Sequence, residues 1–454
     1  MRKVVFIDGV RTPFLKSGTN YMDLMSYQLG QLAIKGLLDK TGIEPSEIDR
    51  VVYGNVISNV KTENVARESA VTAGVPIRVP ANTVKQACIS ANQAISNAMD
   101  FIQLGRADVV ISGGTECTSD TPIGYSKEMR KKLFMAQKLS TPMEYAKFAT
   151  TLRPNDFLPD RPAVQEFITG RTMGQDCELM VQKFGVTREE QDELAAASHQ
   201  NAGKAQEAGL LDDIISVQLP PNFEPITKDN GVRGDTTVDK ISKLKPAFDK
   251  YVGTITAANA SFLTDGASAV LLTSEDKAKE LGLTPKAELV DYTFTAGDLY
   301  DELLLGPAYS IAEVLKKNNL TIDDIDVWEI HEAFAGQVCS VLKALENEEW
   351  CKAHVGYDKA VGSIPKNKIN QWGGSLSIGH PFGATGGRLL TMAANRLVKG
   401  GGKYAILTAC AAGAHGTAML IKRYESTEQK VKSAAKSVIS KAEDALEDIK
   451  EKLG

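Results

Sequence analysis

Two cysteines and two histidines stand in short phrases suited to thiol chemistry. Cys88 lies in Lys-Gln-Ala-Cys-Ile-Ser-Ala-Asn-Gln-Ala and Cys410 in Thr-Ala-Cys-Ala-Ala-Gly-Ala-His-Gly. His331 opens His-Glu-Ala-Phe-Ala-Gly, and His380 sits in Gly-His-Pro-Phe-Gly-Ala-Thr-Gly-Gly. Thiols and imidazoles need the smallest environmental shift to become reactive near neutral pH, so the set points to thiol-based acyl chemistry. Cys88 precedes a helix-like run over residues 90–104, where unpaired backbone N–H groups and the positive end of the helix dipole favour a thiolate. A buried, inert thiol is the commoner fate of a lone cysteine, so Cys88 gains weight only from its company. His380 is flanked by glycines that let the backbone turn sharply and approach a ligand, and its imidazole is placed to take a proton from Cys88. The loop lacks the Lys-Ser/Thr ending of a phosphate-binding P-loop. Cys410 and the pair His331–Glu332 each follow a buried-looking strand, at 404–408 and 327–330. Active groups gather at strand carboxyl ends in α/β folds, where free N–H groups can form an oxyanion hole.

The elements that must position these groups alternate as strands and helices, the pattern of an α/β protein. Strands are expected at 4–7, 51–53, 109–112, 327–330 and 404–408, and helices at 27–40, 90–104, 188–208, 311–317 and 388–397. The pattern repeats. Residues 38–55 and 315–332 share a helix end, an acidic turn with Ile-Asp and a strand; residues 87–114 and 381–409 share turn, helix, Gly and strand. Two matches in the same order indicate a duplicated domain. The expected organisation is an N-terminal half over 1–120 plus 251–280, an inserted lobe over 121–250, a C-terminal half over 281–424 and a helical tail over 425–454. The lobe begins with a basic amphipathic stretch, 125–153, which reads as a solvated lid or as a surface for anionic lipid. In the tail, Val431, Ala435, Val438, Ala442, Ala445 and Ile449 form a heptad seam, read as one solvated helix on the body or as a docking helix.

The chain has 454 residues, 43% of them hydrophobic, ample for more than one core. A formal net charge of -5 gives no electrostatic case for nucleic acid. The six cysteines are scattered without a CxxC pair, which argues against zinc ribbons and thioredoxin-like redox motifs and suits a reducing compartment. No apolar run is long enough to span a bilayer. The opening Met-Arg-Lys-Val-Val-Phe-Ile-Asp reads as a first strand, so the expected location is the bacterial cytoplasm, or the mitochondrial matrix as a mature form.

Taken in order, the phrases resemble the thiolase family over about residues 4–424. They are the Cys88 block, Gly-Gly-Thr-Glu at 113–116, Gly-Thr-Ile-Thr-Ala-Ala-Asn-Ala-Ser at 253–261 followed by Asp-Gly-Ala-Ser-Ala, then His-Glu-Ala-Phe, Gly-His-Pro-Phe-Gly-Ala-Thr-Gly and the Cys410 block. The Cys88 phrase, His-Glu-Ala-Phe and the enlarged middle lobe look most like the β-subunit branch of the trifunctional fatty-acid oxidation complex. The resemblance implies a duplicated five-layer α-β-α-β-α fold with an inserted loop domain. It implies thiolysis of medium- or long-chain 3-ketoacyl-CoA, with Cys88 as the acylated nucleophile, His380 as its base and Cys410 as the acid/base. One oxyanion hole is implied at His380 with a water held by His331, the other at the N–H groups of Cys88 and Ala412, and Ser261 matches a contact to the pantetheine arm. No permanently bound cofactor is implied, coenzyme A being a co-substrate. A homodimer or dimer of dimers, a hydratase/dehydrogenase α subunit and a peripheral membrane contact through 125–153 are the expected partners. Other readings are a biosynthetic acetoacetyl-CoA thiolase, a decarboxylating ketoacyl synthase, disfavoured by Cys410, and a membrane- or partner-docking subunit. The chain departs from the commoner family pattern at His331 (Asn), Ala412 (Gly) and His415.

Overall fold

The computed structural model describes residues 1–160 and 164–425. The heptad seam of the tail lies outside the described residues. Nine strands matter for the site: β1 Val4–Arg11, β2 Arg50–Gly54, β3 Ala81–Val84, β4 Val109–Glu116, β5 Thr264–Ser274, β6 Ala287–Ala296, β7 Val327–Ile330, β8 Tyr404–Ala411 and β9 His415–Arg423. They run side by side in the order β7-β8-β9-β6-β1-β5-β4-β2-β3. β6 and β1 meet antiparallel at the centre, and the order reads alike outward from that seam. Each half offers two antiparallel neighbours and then a parallel pair, β4–β2 on one side and β8–β7 on the other. The duplication legible in the sequence is therefore a duplication in space. Each repeat's acidic turn is a short 3₁₀ helix, Pro45–Glu47 or Ile322–Asp324, feeding β2 or β7.

The strands are buried almost throughout, which explains their continuous apolar runs in place of clean alternation. Helices cover them in layers: α1 Ser26–Thr41, α2 Ser90–Gln103, α3 Lys127–Ala136, α4 Pro142–Thr150, α5 Arg188–Glu207, α6 Gly306–Lys317, α7 Ala335–Glu346 and α8 Thr385–Gly400. α1 packs with the outer face of the N-terminal half, and α6 and α7 with the outer face of the C-terminal half. Between the halves, α2 and α8 share one core with residues of both, including Ile95, Val110, Leu389 and Leu407. This is the expected five-layer arrangement. α8 is buried from Thr385 to Leu397, as a helix in a central layer must be. Its Arg396 pairs with buried Glu329 of β7 at 2.5 Å.

The basic stretch folds as two helices, α3 and α4, rather than one. Thr141 ends the break, accepting from Glu144 N while Glu144 Oε2 accepts from Thr141 N, and Pro142 takes the first helical position. In the stretch 125–153 only Met129 is buried, while Phe134, Met135, Met143 and Tyr145 stand exposed among Lys127, Arg130, Lys131 and Lys147.

Candidate active site

Cys88 sits in a tight turn between β3 and α2. Ser90 Oγ donates to Ala87 O at 2.7 Å and accepts from Gln86 N at 2.8 Å, closing the turn. Ala87 is thereby held at φ 44°, a left-handed conformation that costs a non-glycine residue about 1–3 kcal/mol. Such strain is found where a side chain must be aimed, and the aimed side chain is the adjacent thiol. Cys88 remains partly exposed as a residue, yet burial around its sulfur pushes the thiol up to about 12, against the pull of N–H groups from Ala412 and Cys88 itself. The expected helix-stabilised thiolate is thus corrected. Cys88 lies two residues ahead of α2, and burial of the sulfur exceeds the pull of the two N–H groups, so the resting group is a thiol that needs a base.

Cys410 is the penultimate residue of β8, within the strand rather than after it, and is 1% exposed. Its thiol lies close enough to Cys88 for the two to oppose each other's ionisation, and burial, the larger effect, pushes it well above the ordinary thiol range. The hairpin turn that follows carries Ala412, Gly413 at φ 82° and Ala414 at φ 57°. His331 extends β7 beside β8, its N–H bonded to Thr408 O at 2.8 Å. His380 is brought alongside, the two imidazole centroids 4.0 Å apart. Cys88, from the first half, thus meets Ala412 and Cys410 of the second, while His331, bonded to β8 two residues before Cys410, packs against His380. Ser261 lies on a strap that bridges Phe334 through Ala260 and His380 through Leu263, and its N–H donates to Ala333 O at 2.9 Å.

The histidine loop is built for position. Gly379 at φ 114° turns the chain ahead of His380, whose N–H then donates to Thr264 Oγ1 at 3.0 Å. Gly383 abuts Gly114 of β4 so closely that a Cβ on Gly114 would fall 1.9 Å from its carbonyl oxygen. Glu116 Oε2 accepts from Gly383 N at 3.0 Å and Val56 N at 3.0 Å, and Oε1 from Ile57 N at 2.9 Å, tying this loop to the nucleophile's half. Burial pushes Glu116 up to about 7, opposed by those N–H groups.

Hydrogen bonding sets the proton on each imidazole. Thr385 Oγ1 donates to Pro381 O at 3.1 Å and therefore accepts from His380 Nδ1–H at 2.6 Å. The Nε2 of His380 is left a bare, unpartnered lone pair. Burial, with the Arg388 charge nearby, pushes this imidazole down to about 3, so the ring rests neutral with its Nε2 lone pair unprotonated. His331 Nδ1 meets Ser375 Oγ at 2.8 Å, and its Nε2 is also unpartnered. Burial, then His380 and Arg388, hold it well below the ordinary imidazole range. Glu332 turns away from the thiols, accepting from Ser198, Asn370 and Leu376 N, and burial raises it above the usual carboxylate range. His415 opens β9 and lies against Gly413 of the turn.

Sequence reasoning missed Thr385, Ser375, Arg388 and Glu166. Thr385 and Arg388 follow in or just after the His380 phrase, where a spacing of five or eight residues gave no sign of contact. Glu166 belongs to the inserted lobe, 8% exposed, and its Oε2 accepts from Gly413 N at 2.9 Å. No sequence signal places a lobe residue on the Cys410 turn. Among the described residues no group of three His, Cys, Asp or Glu is placed to hold a metal ion.

A duplicated five-layer fold with two facing thiols and two facing imidazoles defines an acyl-transfer class. The chain belongs to the thiolase family: its N-terminal domain matches residues 4–276 and its C-terminal domain residues 283–423. It is 48% identical over 424 residues to bovine (Bos taurus) "Trifunctional enzyme subunit beta, mitochondrial", covering 93% of this chain and 89% of that protein. It is 40% identical over 421 residues to "3-ketoacyl-CoA thiolase" of Pectobacterium atrosepticum, covering 92% of this chain and 96% of that protein. Human mitochondrial 3-ketoacyl-CoA thiolase superposes with a TM-score of 0.78 at 29% identity, over 93% of this chain and 99% of the other.

Proposed function

We propose that this chain is a 3-ketoacyl-CoA thiolase of fatty-acid β-oxidation, an acetyl-CoA C-acyltransferase acting on medium- or long-chain substrates. The observation that carries the reading is the Cys88 thiol beside a second thiol, Cys410, on the strand next to the one that leads into His331, whose ring packs on the unpartnered imidazole of His380. Cys88 Sγ attacks the 3-keto carbonyl while His380 Nε2 takes its proton. The C2–C3 bond breaks, the acyl group stays on Cys88, and the electron pair leaves as the enolate of acetyl-CoA. Cys410 gives that enolate its proton. The thiol of coenzyme A then attacks the Cys88 thioester, Cys410 accepts its proton, the Cys88 sulfur leaves and takes back its own proton from His380 Nε2, and the shortened acyl-CoA departs. Ala412 N–H and Cys88 N–H serve the oxyanion at the acylated carbonyl, and His380 with His331 serves the enolate oxygen. Ser261, on the strap beside His380, faces the pantetheine arm.

Burst labelling with a radiolabelled acyl-CoA tests the assignment. Wild type and Cys410→Ser are expected to retain label, Cys410→Ser losing carbon–carbon cleavage; label retained by Cys88→Ala ends it. Thiolysis measured across 3-ketoacyl-CoA chain lengths separates this reading from an acetoacetyl-CoA thiolase.

The bovine relative's name, subunit beta of a trifunctional enzyme, supports work beside a partner subunit, here taken as a hydratase/dehydrogenase α subunit, while coenzyme A as co-substrate, the lack of a permanently bound cofactor and a homodimeric core rest on the thiolase resemblance. Among the described residues no helix is long and apolar enough to cross a membrane. A peripheral contact through α3 and α4 is a second reading. It is favoured by Phe134, Met135 and Met143, each at least 65% exposed beside Arg130 and Lys131. Co-sedimentation with anionic liposomes is expected for wild type and reduced in an Arg130→Glu/Lys131→Glu variant; equal binding rules it out.

A further inference from the structure

The partner on the far side of His331 fixes more than its position. Ser375 opens a four-residue helix, Ser375–Ile378, just before the His380 loop, and is fully buried. Its Oγ has two partners among the described residues: His331 Nδ1 at 2.8 Å and Arg388 Nη2 at 2.9 Å. A guanidinium nitrogen can only donate, so Ser375 Oγ accepts from Arg388. Arg388 is itself 1% exposed, so its guanidinium is enclosed against the serine.

Two arrangements remain for the last proton. If His331 carried it on Nδ1, the imidazole would donate to Ser375, and the serine's own proton would have no acceptor inside a closed site. An unmade hydrogen bond of that kind costs about 1–3 kcal/mol. If Ser375 donates to Nδ1, the serine is matched on both sides, and the proton left without a protein partner is the imidazole's own on Nε2, where a substrate oxygen can accept it. His380 is fixed the opposite way, its Nδ1–H donating to Thr385.

We infer that Ser375, oriented by Arg388, is a positioning residue that holds His331 as the neutral Nε2–H tautomer, making it a hydrogen-bond donor to the developing enolate oxygen. The inference rests on the thiolase reading above. The two imidazoles then divide the work: one offers a lone pair, the other a proton that it shares without giving up. A neutral donor on the enolate side matters only in the step that breaks the carbon–carbon bond. Exchange of a plain acyl group between Cys88 and coenzyme A forms no enolate and does not need it.

The test uses the full-length protein and three readouts. In ¹⁵N NMR of [¹⁵N]His-labelled wild type, with the His331 signals assigned by their loss in His331→Asn, Nε2 is expected to be the protonated nitrogen. A protonated Nδ1 overturns the inference without any variant having to fold. In Ser375→Ala, kcat for 3-ketoacyl-CoA thiolysis is expected to fall roughly 10- to 100-fold, in the range seen when a second-layer partner of a functional imidazole is removed. Acyl exchange between a saturated acyl-CoA and free coenzyme A should stay within about twofold of wild type, as loss of an interaction made only in one transition state requires. Ser375→Thr, which keeps the hydroxyl, should restore most of the thiolysis. Equal losses of both activities in Ser375→Ala indicate a merely structural role and overturn the inference, as does unchanged thiolysis. Absence of thiolysis in wild type would instead defeat the underlying assignment.

Discussion

His331 and His380 lie 4.0 Å apart between ring centroids with planes inclined by 45°, yet neither Nε2 bonds to the other or to any group among the described residues. Two buried imidazoles in contact must both be neutral, since a proton on either is opposed by desolvation and by Arg388. Each ring is anchored through Nδ1 by a hydroxyl, Ser375 or Thr385, which leaves the two outer nitrogens for the reaction.

Thr385→Val removes the acceptor of the His380 Nδ1–H while keeping side-chain shape. The imidazole is then free to take the other tautomer, whose Nε2 cannot accept a proton from Cys88. General base catalysis contributes typically about 10²–10⁴-fold, so kcat/KM is expected to fall on the order of 10²-fold. Steady-state thiolysis checks this, and an unchanged rate shows that Thr385 does not select the tautomer.

The pH profile follows from the same burial. His380 is pushed down to about 3 and the Cys88 thiol up to about 12, so neither changes charge over the working range. kcat/KM is expected to be flat with respect to both groups between pH 5 and 9, in contrast to a site resting as a thiolate–imidazolium pair. Glu116, which holds the His380 loop, is pushed up to about 7, so an acid limb near the ordinary imidazole value of ~6.5 that persists in Glu116→Gln would show His380 titrating as an exposed ring does.

These relationships mark how far the sequence could be read. The strand and helix assignments around Cys88, His331 and Cys410 survive within a few residues because apolar runs and Gly-rich breaks report burial and turning directly. The duplication was legible because the two halves keep the same offsets, and it becomes the outward-matching strand order about the β1–β6 seam. The ionisation of Cys88 was not legible. A helix start is a sequence feature, whereas the desolvation that raises the thiol depends on what the fold packs around the sulfur. Ser375 and Thr385 were missed for a related reason. Small hydroxyl residues carry no periodic signal, and their partners are set by the path of the loop between them.

Glu166 connects the lobe to the Cys410 turn. Its carboxylate receives the Gly413 N–H at 2.9 Å, next to the Ala412 N–H that faces Cys88. Removing an oxyanion donor outright costs about 10²–10³ in kcat, so loosening its neighbour should cost less. Glu166→Ala is expected to lower kcat roughly tenfold, and Glu166→Gln, which still offers an acceptor oxygen, by less than threefold. Equal kinetics in all three proteins would show that the turn holds its shape without the lobe.

His199, remote from the thiols, gives a test of stability against pH. Burial, with Arg233 and Lys16 nearby, pushes it down to about 4, and its Nδ1 accepts from Arg233 N at 3.3 Å. The unfolded imidazole takes up a proton near pH 6.5, so the stability contribution is present above that value and lost as pH falls towards 4. At pH 5 the loss amounts to about 2 kcal/mol from this group. In His199→Gln the drop in unfolding free energy from pH 7 to pH 5 should be smaller by about that amount, measured by urea titration at both pH values. An identical drop in the two proteins refutes the neutral assignment.

The central layer also holds a pair whose role is separable from catalysis. Arg396 of α8 and Glu329 of β7 are 2% and 0% exposed and meet at 2.5 Å, while Arg396 also donates to Trp328 O at 3.0 Å and Lys368 O at 2.8 Å. The guanidinium therefore ties β7, which leads into His331, to the helix that follows His380. Removing one charge leaves the other buried and unmatched, which costs about 3–5 kcal/mol, whereas replacing both by apolar groups of similar size can be close to neutral. Glu329→Leu is expected to lose that much stability in urea unfolding, and Glu329→Leu/Arg396→Met to recover most of it. If the pair serves only packing, the double variant should also recover thiolysis; if it aligns β7 with α8, kcat should stay depressed although stability returns. In the double variant Lys368 O loses its guanidinium donor and Trp328 O, inside β7, keeps only the Asn370 N–H at 3.0 Å. Recovered stability with a persistently lower kcat is therefore the expected result, and full recovery of both would remove any positioning role from the pair.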